Sequence, residues 1–210
     1  MTALASQRSA AYANFAAAFA FPDAEALTAI RSGYLVDFFH RLLAGRQDPL
    51  AADVDWRALA GERIDLDGLQ EEFTRLFEVG PAGPPCPLLE SHYRGAELAN
   101  LEELVRYYDF FGLSLPDDRQ VRPDHLGTQL EFLHFLSFNE AQSGDDPEAA
   151  AALSRAQRDF IERHTGAWIP LLGRALEAQD ACPFFFELTR LLEHFLMAEM
   201  QRHGEQVETT

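Results

Sequence analysis

The chain has 210 residues, of which 47 % are hydrophobic and 24 % charged. This composition is typical of globular proteins, and the length favours a single domain spanning residues 1–210. The 34 acidic residues outnumber the 17 basic ones, all of which are arginine, and the net charge is −17. Such a charge disfavours nucleic-acid and membrane binding and favours a basic partner. Taken alone, however, the same charge is equally well explained by a role in keeping the protein soluble.

The N-terminal region has the pattern of a helix rather than of a secretory signal. Tyr12, Phe15 and Phe19 recur at three- to four-residue spacing and so share one helical face. Arg8 is the only basic residue before the apolar stretch, and Tyr12 and Asn14 interrupt that stretch, whereas a secretory signal needs a basic start and a stronger apolar core. Together with two cysteines that lack disulfide or zinc-ligand spacing, this pattern predicts a cytoplasmic protein.

Apolar residues follow the helical period along most of the chain, and proline- and glycine-rich segments separate them. Asp23 can cap the second helix, and residues 80–87, with four prolines, are expected to form an ordered loop. The second helix is predicted to turn inward Leu27, Ile30, Tyr34 and Phe38. Another short helix is marked by Leu69, Phe73, Leu76 and Phe77, and the next helical stripe consists of Leu98, Leu101, Leu104, Val105, Tyr108 and Phe111.

Three further helices are predicted in the second half of the chain. They cover about 123–142, 148–179 and 183–202, with a kink or break expected at Pro170 and a frayed tail at 203–210. No strand alternation and no internal repeat occur. The sequence therefore predicts an all-α, single-domain bundle of about seven or eight helices.

The sequence contains no nucleophile elbow, phosphate-binding loop or zinc-protease motif, so it predicts neither enzymatic activity nor a bound cofactor. One fragment resembles half of a di-iron motif. Glu131 and His134 form a single Glu-x-x-His, but di-iron bundles use this spacing twice and add two further glutamates. A helical metalloenzyme that uses Glu131 and His134, with His125 nearby, is the alternative to a binding protein.

Two features favour binding. Seventeen phenylalanines exceed what a core of this size needs, so some could line a groove for an apolar peptide. Asp124 and His125 follow Pro123 at a predicted helix start, where Asp124 can complement the free N–H groups while His125 points elsewhere. An isolated pair of this kind is more often structural, with a half-buried histidine, and only its place beside a connection suits it to a binding surface. We expect two faces on this helix: Leu126, Leu130 and Leu133 inward, and His125, Glu131 and Phe132 nearer the exposed side.

Two central segments resemble the TorD/DmsD/NarJ family of redox-enzyme maturation chaperones. The first runs through FTRLFEVGP at 73–81, GPP at 83–85 and LLESHYRG at 88–95. The second contains YDFFGL at 108–113, PDHL at 123–126 and LEFLHFL at 130–136. The likeness extends over about 8–200 and looks closest to chaperones of type II dimethyl-sulfoxide-reductase-like molybdoenzymes. The family often has Glu before Pro-Asp-His, whereas this chain has Arg122.

This resemblance implies an all-α chaperone without catalytic activity. Its partner would be the catalytic subunit of a type II molybdoenzyme, including its twin-arginine signal peptide. The chaperone would hold the apoprotein in the cytoplasm until bis-molybdopterin guanine dinucleotide and the other subunits are in place. The candidate partner-binding residues are Glu90, Tyr93, Asp124, His125, Glu131 and Phe132.

Overall fold

A computed structural model describes residues 2–45, 54–62, 64–95, 98–115, 121–144 and 146–208. The α-helices are α1 (Thr2–Ala18), α2 (Ala24–Arg31), α3 (Tyr34–Gly45), α4 (Trp56–Leu59), α5 (Leu66–Phe73), α6 (Glu90–Arg94), α7 (Leu98–Phe110), α8 (Leu126–Gln142), α9 (Pro147–Phe160), α10 (Gly166–Ala178) and α11 (Pro183–Glu208). Single π-helical turns, Thr74–Glu78 and Ile161–Thr165, follow α5 and α9. These ranges contain isolated β-bridges but no strand, which confirms the all-α fold.

The residues group into two compact units, each assembled from two separate segments. The first unit consists of Met1–Ala16 and Leu88–Trp168, and the second of Ala17–Pro87 and Ile169–Thr210. The expected single domain of residues 1–210 stays a prediction. Of the helices that the structure describes, none is both long enough and apolar enough to cross a membrane.

The core of the first unit forms around α8. Leu126, Leu130 and Leu133 are fully buried, as the helical spacing predicted. Phe132 is buried as well, so the expectation that it lies near the exposed side was wrong. Its ring contacts Tyr108 and Phe160 edge-on, with centroids 5.0 and 4.8 Å apart. α8 therefore buries a broader face than the leucine stripe alone indicated, because aromatic rings from α7 and α9 cover it.

In the second unit, Phe73, Phe77 and Phe185 pack edge-to-face, with ring centroids 5.0 to 5.9 Å apart. This geometry suits the quadrupoles of aromatic rings.

Both cysteines are free, and burial raises the pKa of Cys86 to about 11, so this thiol is protonated at neutral pH.

The helix predicted at 148–179 is interrupted earlier than expected. The interruption is the π-helical turn Ile161–Thr165, whereas Pro170 lies inside α10. Gly166 sits at the junction: a Cβ atom there would stand 2.8 Å from the Ile161 carbonyl oxygen, so the turn requires a residue without one. At the end of the chain, α11 continues beyond residue 202, the predicted limit, to Glu208.

Candidate functional site

The two segments that carry the family resemblance meet in the first unit. The Glu90 backbone N–H donates to the Asp124 carbonyl at 3.0 Å, and the Leu126 N–H donates to the Leu88 carbonyl at 2.9 Å. These two bonds form an isolated antiparallel bridge between Leu89 and His125. The bridge fixes the start of α6 beside the start of α8, and it holds residue 125 in an extended conformation. For this reason α8 begins at Leu126 and not at 123, where proline alone would have placed it.

Asp124 is a buried carboxylate with fixed donors, and only 1 % of it is exposed. The Arg122 Nε donates to it at 2.9 Å and the Ser91 backbone N–H at 3.2 Å. Burial alone would raise the pKa of Asp124, but the bonds from Arg122 and Ser91 outweigh it and lower that pKa. Asp124 is therefore ionised and turned towards α6, so the expectation that it complements the free N–H groups of α8 was wrong.

His125 is the residue that caps α8. Its Nδ1 accepts the backbone N–H of Gly127 at 3.1 Å, which requires the tautomer with hydrogen on Nε2. The ring is half-buried. Burial lowers the pKa of His125 and the Arg122 charge lowers it further, while the Asp124 charge opposes both, and the net direction is downward. The neutral imidazole that the cap needs is thus favoured.

Glu90, the first residue of α6, is the centre of a buried polar network. It is 2 % exposed. Its Oε1 accepts from Arg94 at 2.6 Å and from His164 Nδ1 at 3.3 Å, and its Oε2 accepts from the Gln129 amide at 2.6 Å. Donors from α6, α8 and the second π-helical turn therefore converge on one carboxylate, as a buried charge requires.

The network continues from Gln129 to the start of α10. The Gln129 Oε1 accepts from the indole nitrogen of Trp168 at 3.0 Å. The Tyr93 ring stacks on the Trp168 ring, with centroids 5.4 Å apart and planes 16° from parallel. A separate hydrogen bond holds the residues before the bridge: the buried Tyr108 hydroxyl donates to the Pro123 carbonyl at 2.7 Å. Burial raises the pKa of that tyrosine. Buried hydrogen bonds of the first unit thus anchor both the residues around Glu90 and the Pro123 backbone just before the bridge.

The six sequence-predicted site residues differ in exposure. Glu90 and Asp124 lie on either side of the α6–α8 bridge and are buried, as is Phe132. Tyr93 and His125 are half-buried, and Glu131 is exposed. In this conformation a partner can therefore touch Tyr93, His125 and Glu131 directly, whereas the other three residues can act only through their neighbours.

Sequence reasoning assigned no role to four residues that complete the site: Arg94, Gln129, His164 and Trp168. Arg94 belongs to the LLESHYRG segment that resembles the family, so that likeness was one available signal. No spacing rule joins Glu90 to His164, which follows it by 74 residues.

The metal-site alternative rests on Glu131 and His134. Glu131 is exposed, while His134 Nδ1 lies 2.9 Å from both the carbonyl and the hydroxyl oxygen of Ser9 in α1. Within the ranges given above, no group of three or more His, Cys, Asp or Glu side chains could hold a metal ion. The contacts of His134 fit a structural role that joins α8 to α1.

Comparison with known proteins places these features in a family. The nitrate reductase delta subunit family matches residues 43–173, a range that contains the α6–α8 bridge and all six candidate residues. The selenate reductase assembly chaperone of Thauera selenatis is 35 % identical over 71 % of this chain and 78 % of its own. The perchlorate reductase assembly chaperone of Dechloromonas aromatica (strain RCB) is 32 % identical over 92 % and 88 %.

A third relative, the chlorate reductase assembly chaperone of Ideonella dechloratans, is 32 % identical over 80 % of this chain and 76 % of its own. The resemblance to redox-enzyme maturation chaperones seen in the sequence is thereby confirmed. The chain belongs to the nitrate reductase delta subunit family and is similar to these assembly chaperones.

Proposed function

We propose that this protein is an assembly chaperone, not an enzyme, and that it binds the catalytic subunit of a molybdenum-containing oxidoreductase. The observation that carries the proposal is its similarity to the selenate, perchlorate and chlorate reductase chaperones, which extends over most of each chain. The buried network around Glu90 is consistent with this role, because its side chains bond to one another and so support α6 and α8.

The client is a type II molybdoenzyme, and the chaperone binds it in the cytoplasm before twin-arginine export. The net charge of −17 supports contact with the arginine-containing signal peptide, because opposite charges accelerate encounter. Exposed aromatic side chains suit the apolar remainder of such a peptide.

The contact surface includes His125, Tyr93 and Glu131, which are at least partly accessible. Glu90, Asp124 and Phe132 hold this surface in place. Asp124 and Glu90 do so through the α6–α8 bridge, and Phe132 does so by packing α8 against the rings of α7 and α9.

The proposal is tested by expressing the tagged full chain in its native host and identifying the proteins that co-purify with it. We expect a molybdoenzyme catalytic subunit, in smaller amount when its signal peptide is deleted. In a strain without the chaperone, that subunit should accumulate without its cofactor. Normal cofactor loading in that strain, with no catalytic subunit co-purified, would contradict the proposal.

The site is tested with His125→Asn. Asparagine also accepts a backbone N–H at a helix start, so the melting temperature should stay within a few degrees of the parent. The yield of cofactor-loaded client should nevertheless fall, because the imidazole is lost from the contact surface. His40→Asn, which changes an exposed histidine of α3, is the matched control. A stable His125→Asn variant with full maturation activity would remove His125 from the site.

A further inference from the structure

His164, in the second π-helical turn, is buried between two carboxylates. Its Nδ1 lies 3.3 Å from Glu90 Oε1 of α6, and its Nε2 lies 4.0 Å from Glu103 Oε1 of α7. Only 1 % of the histidine side chain is exposed. The rings of Tyr107 and Phe160 contact the imidazole, with centroids 5.6 and 5.1 Å away. The imidazole is thus enclosed by α6, α7 and α9.

A neutral imidazole cannot donate to both of these carboxylates. It has one N–H group and one bare nitrogen, whereas an ionised carboxylate can only accept. The contact with Glu90 assigns the hydrogen to Nδ1, so the lone pair of Nε2 faces the Glu103 carboxylate. Among the residues that the structure describes, none forms a hydrogen bond with this Nε2. A buried acceptor without a donor is costly, and the imidazolium, which donates from both nitrogens, removes that cost.

The charged groups around the imidazole come from α6, α7, α9 and the π-helical turn itself. The side chains of Glu90 and Glu103 are 2 % and 22 % exposed, and those of Arg94 and Arg163, which pair with them, are 31 % and 60 % exposed. The two arginines oppose a positive imidazole, but water screens their more exposed charges. Asp159, an exposed carboxylate near the α7 side of the cluster, favours that charge. Burial raises the pKa of Tyr107, so its hydroxyl is uncharged at neutral pH. The carboxylates that approach the ring directly therefore dominate.

We propose that His164 is a proton-dependent positioning residue for the contact surface that contains Tyr93. When both ring nitrogens carry hydrogen, the imidazolium joins Glu90 of α6 to Glu103 of α7, and the Nε2 side closes by about 1 Å to reach hydrogen-bond distance. When Nε2 is bare, its lone pair repels the Glu103 carboxylate and the link is lost. Because the link holds α6, which carries Tyr93, the client binds more tightly at lower pH. The inference rests on the proposed chaperone function and adds a regulation to its site.

The protonation of His164 is measured directly by nuclear magnetic resonance of the isotope-labelled full chain without a client. Nitrogen–proton correlations of the ring distinguish the imidazolium from the two neutral tautomers. We expect the imidazolium at about pH 5.5 and, at about pH 8, the tautomer with hydrogen on Nδ1. The spectrum of His164→Gln identifies the signals that belong to this residue. Hydrogen on Nε2 alone at the higher pH, or an unchanged protonation across this range, would overturn the proposal.

Chemical denaturation at the same two pH values tests whether the proton stabilises the link. A proton that His164 holds more firmly in the folded chain contributes stability at low pH, and this contribution is lost as the pH rises. His125 acts in the opposite sense, because burial lowers its pKa, but its effect cancels when variants are compared. From the lower to the higher pH, the unfolding constant should rise about tenfold more in the parent than in His164→Gln, the effect of one hydrogen bond to a charged group. An equal rise in both would contradict the link.

Glu103→Gln tests the α7 side of the link and serves also if His164→Gln does not fold. The glutamine amide can donate to a bare Nε2, so this variant should lose the pH dependence of stability as His164→Gln does. The two changes together should reduce that dependence no further than either alone, because they remove the same interaction. Glu102→Gln, at an exposed neighbour on α7, is the matched control and should behave as the parent. Additive effects of the two changes, or an equal loss in Glu102→Gln, would show that His164 and Glu103 act separately.

Co-purification at the two pH values separates this inference from the chaperone function. The parent should retain more of the catalytic subunit at the lower pH, whereas Glu103→Gln should retain similar amounts at both. If the parent retains equal amounts at both values, the regulation fails and the function stands. If the parent retains no catalytic subunit at either value, the function fails, and the regulation of its site fails with it. The resonance and denaturation measurements then decide whether His164 joins α6 to α7.

Discussion

Glu90 and Glu131 are carboxylates in the two segments that resemble the family, yet their surroundings are opposite. Glu131 is exposed, whereas Glu90 is buried and accepts hydrogen bonds from Arg94, Gln129 and His164. The two glutamates therefore have different roles: Glu131 can contact a partner, whereas Glu90 supports the structure.

We expect Glu90→Ala to lower the free energy of unfolding by about 3 kcal/mol, because it removes the carboxylate that accepts from Arg94 and from the buried His164 and Gln129. Glu131→Ala is the matched control and should change that free energy by less than about 0.5 kcal/mol. Urea titration followed by circular dichroism measures both. Similar values for the two variants would show that the Glu90 network contributes little to stability.

His125 and Asp124 are adjacent residues with separate structural tasks. The Asp124 carboxylate turns towards Ser91 and Arg122, while the His125 imidazole turns towards Gly127 and caps α8. Arg122 replaces the carboxylate that often stands before Pro-Asp-His in the family, and here it supplies the positive partner of Asp124. This departure from the family pattern is thus compatible with a buried, ionised Asp124.

The junction between α9 and α10 depends on a single glycine. Gly166 has no Cβ atom, and this permits the close approach of the Ile161 carbonyl at the π-helical turn. The turn also contributes His164 to the Glu90 network. Strain at Gly166 would therefore reach the residues beneath the candidate site.

We expect Gly166→Ala to lower the free energy of unfolding by about 1–3 kcal/mol, because the new Cβ would stand 2.8 Å from a backbone oxygen. Gly173→Ala, in the same helix, is the control: the nearest atom there would be 3.8 Å away. This second change should be neutral or stabilise by up to about 1 kcal/mol, because alanine favours helix over glycine. Chemical denaturation of both variants tests the comparison. A neutral Gly166→Ala would show that the turn relaxes without cost.

For the molecule as a whole, the excess of acidic residues determines how partners approach it. The charges act over about 8 Å at physiological ionic strength, so they affect encounter more than the final fit.

The association rate of a peptide with two adjacent arginines should therefore fall about tenfold between roughly 0.05 and 0.5 M salt, while its dissociation rate changes little. Stopped-flow fluorescence with the full chain measures both rates. A peptide with glutamine in place of the arginines should show a shallower dependence. If the association rate of the arginine peptide does not change with salt, the acidity serves solubility alone.

Much of the fold was evident in the sequence. Tyr12, Phe15 and Phe19, which were predicted to share one helical face, are all buried, and the leucines of α8 are buried as predicted. These predictions succeeded because the helical period is local: residues three and four apart share a face whatever the rest of the chain does. The family also followed from short continuous segments, which need no knowledge of contacts between them.

The tertiary structure alone decided which candidate residues are accessible. Glu90 is buried because it accepts from Gln129 and His164, 39 and 74 residues further along the chain. Asp124 is buried because its backbone and side chain bond to α6 rather than to the helix that follows it. Burial of a polar group depends on whether distant segments supply donors, and no local pattern contains that information. The sequence therefore identified the segments of the site, and their packing determined which side chains remain open to a partner.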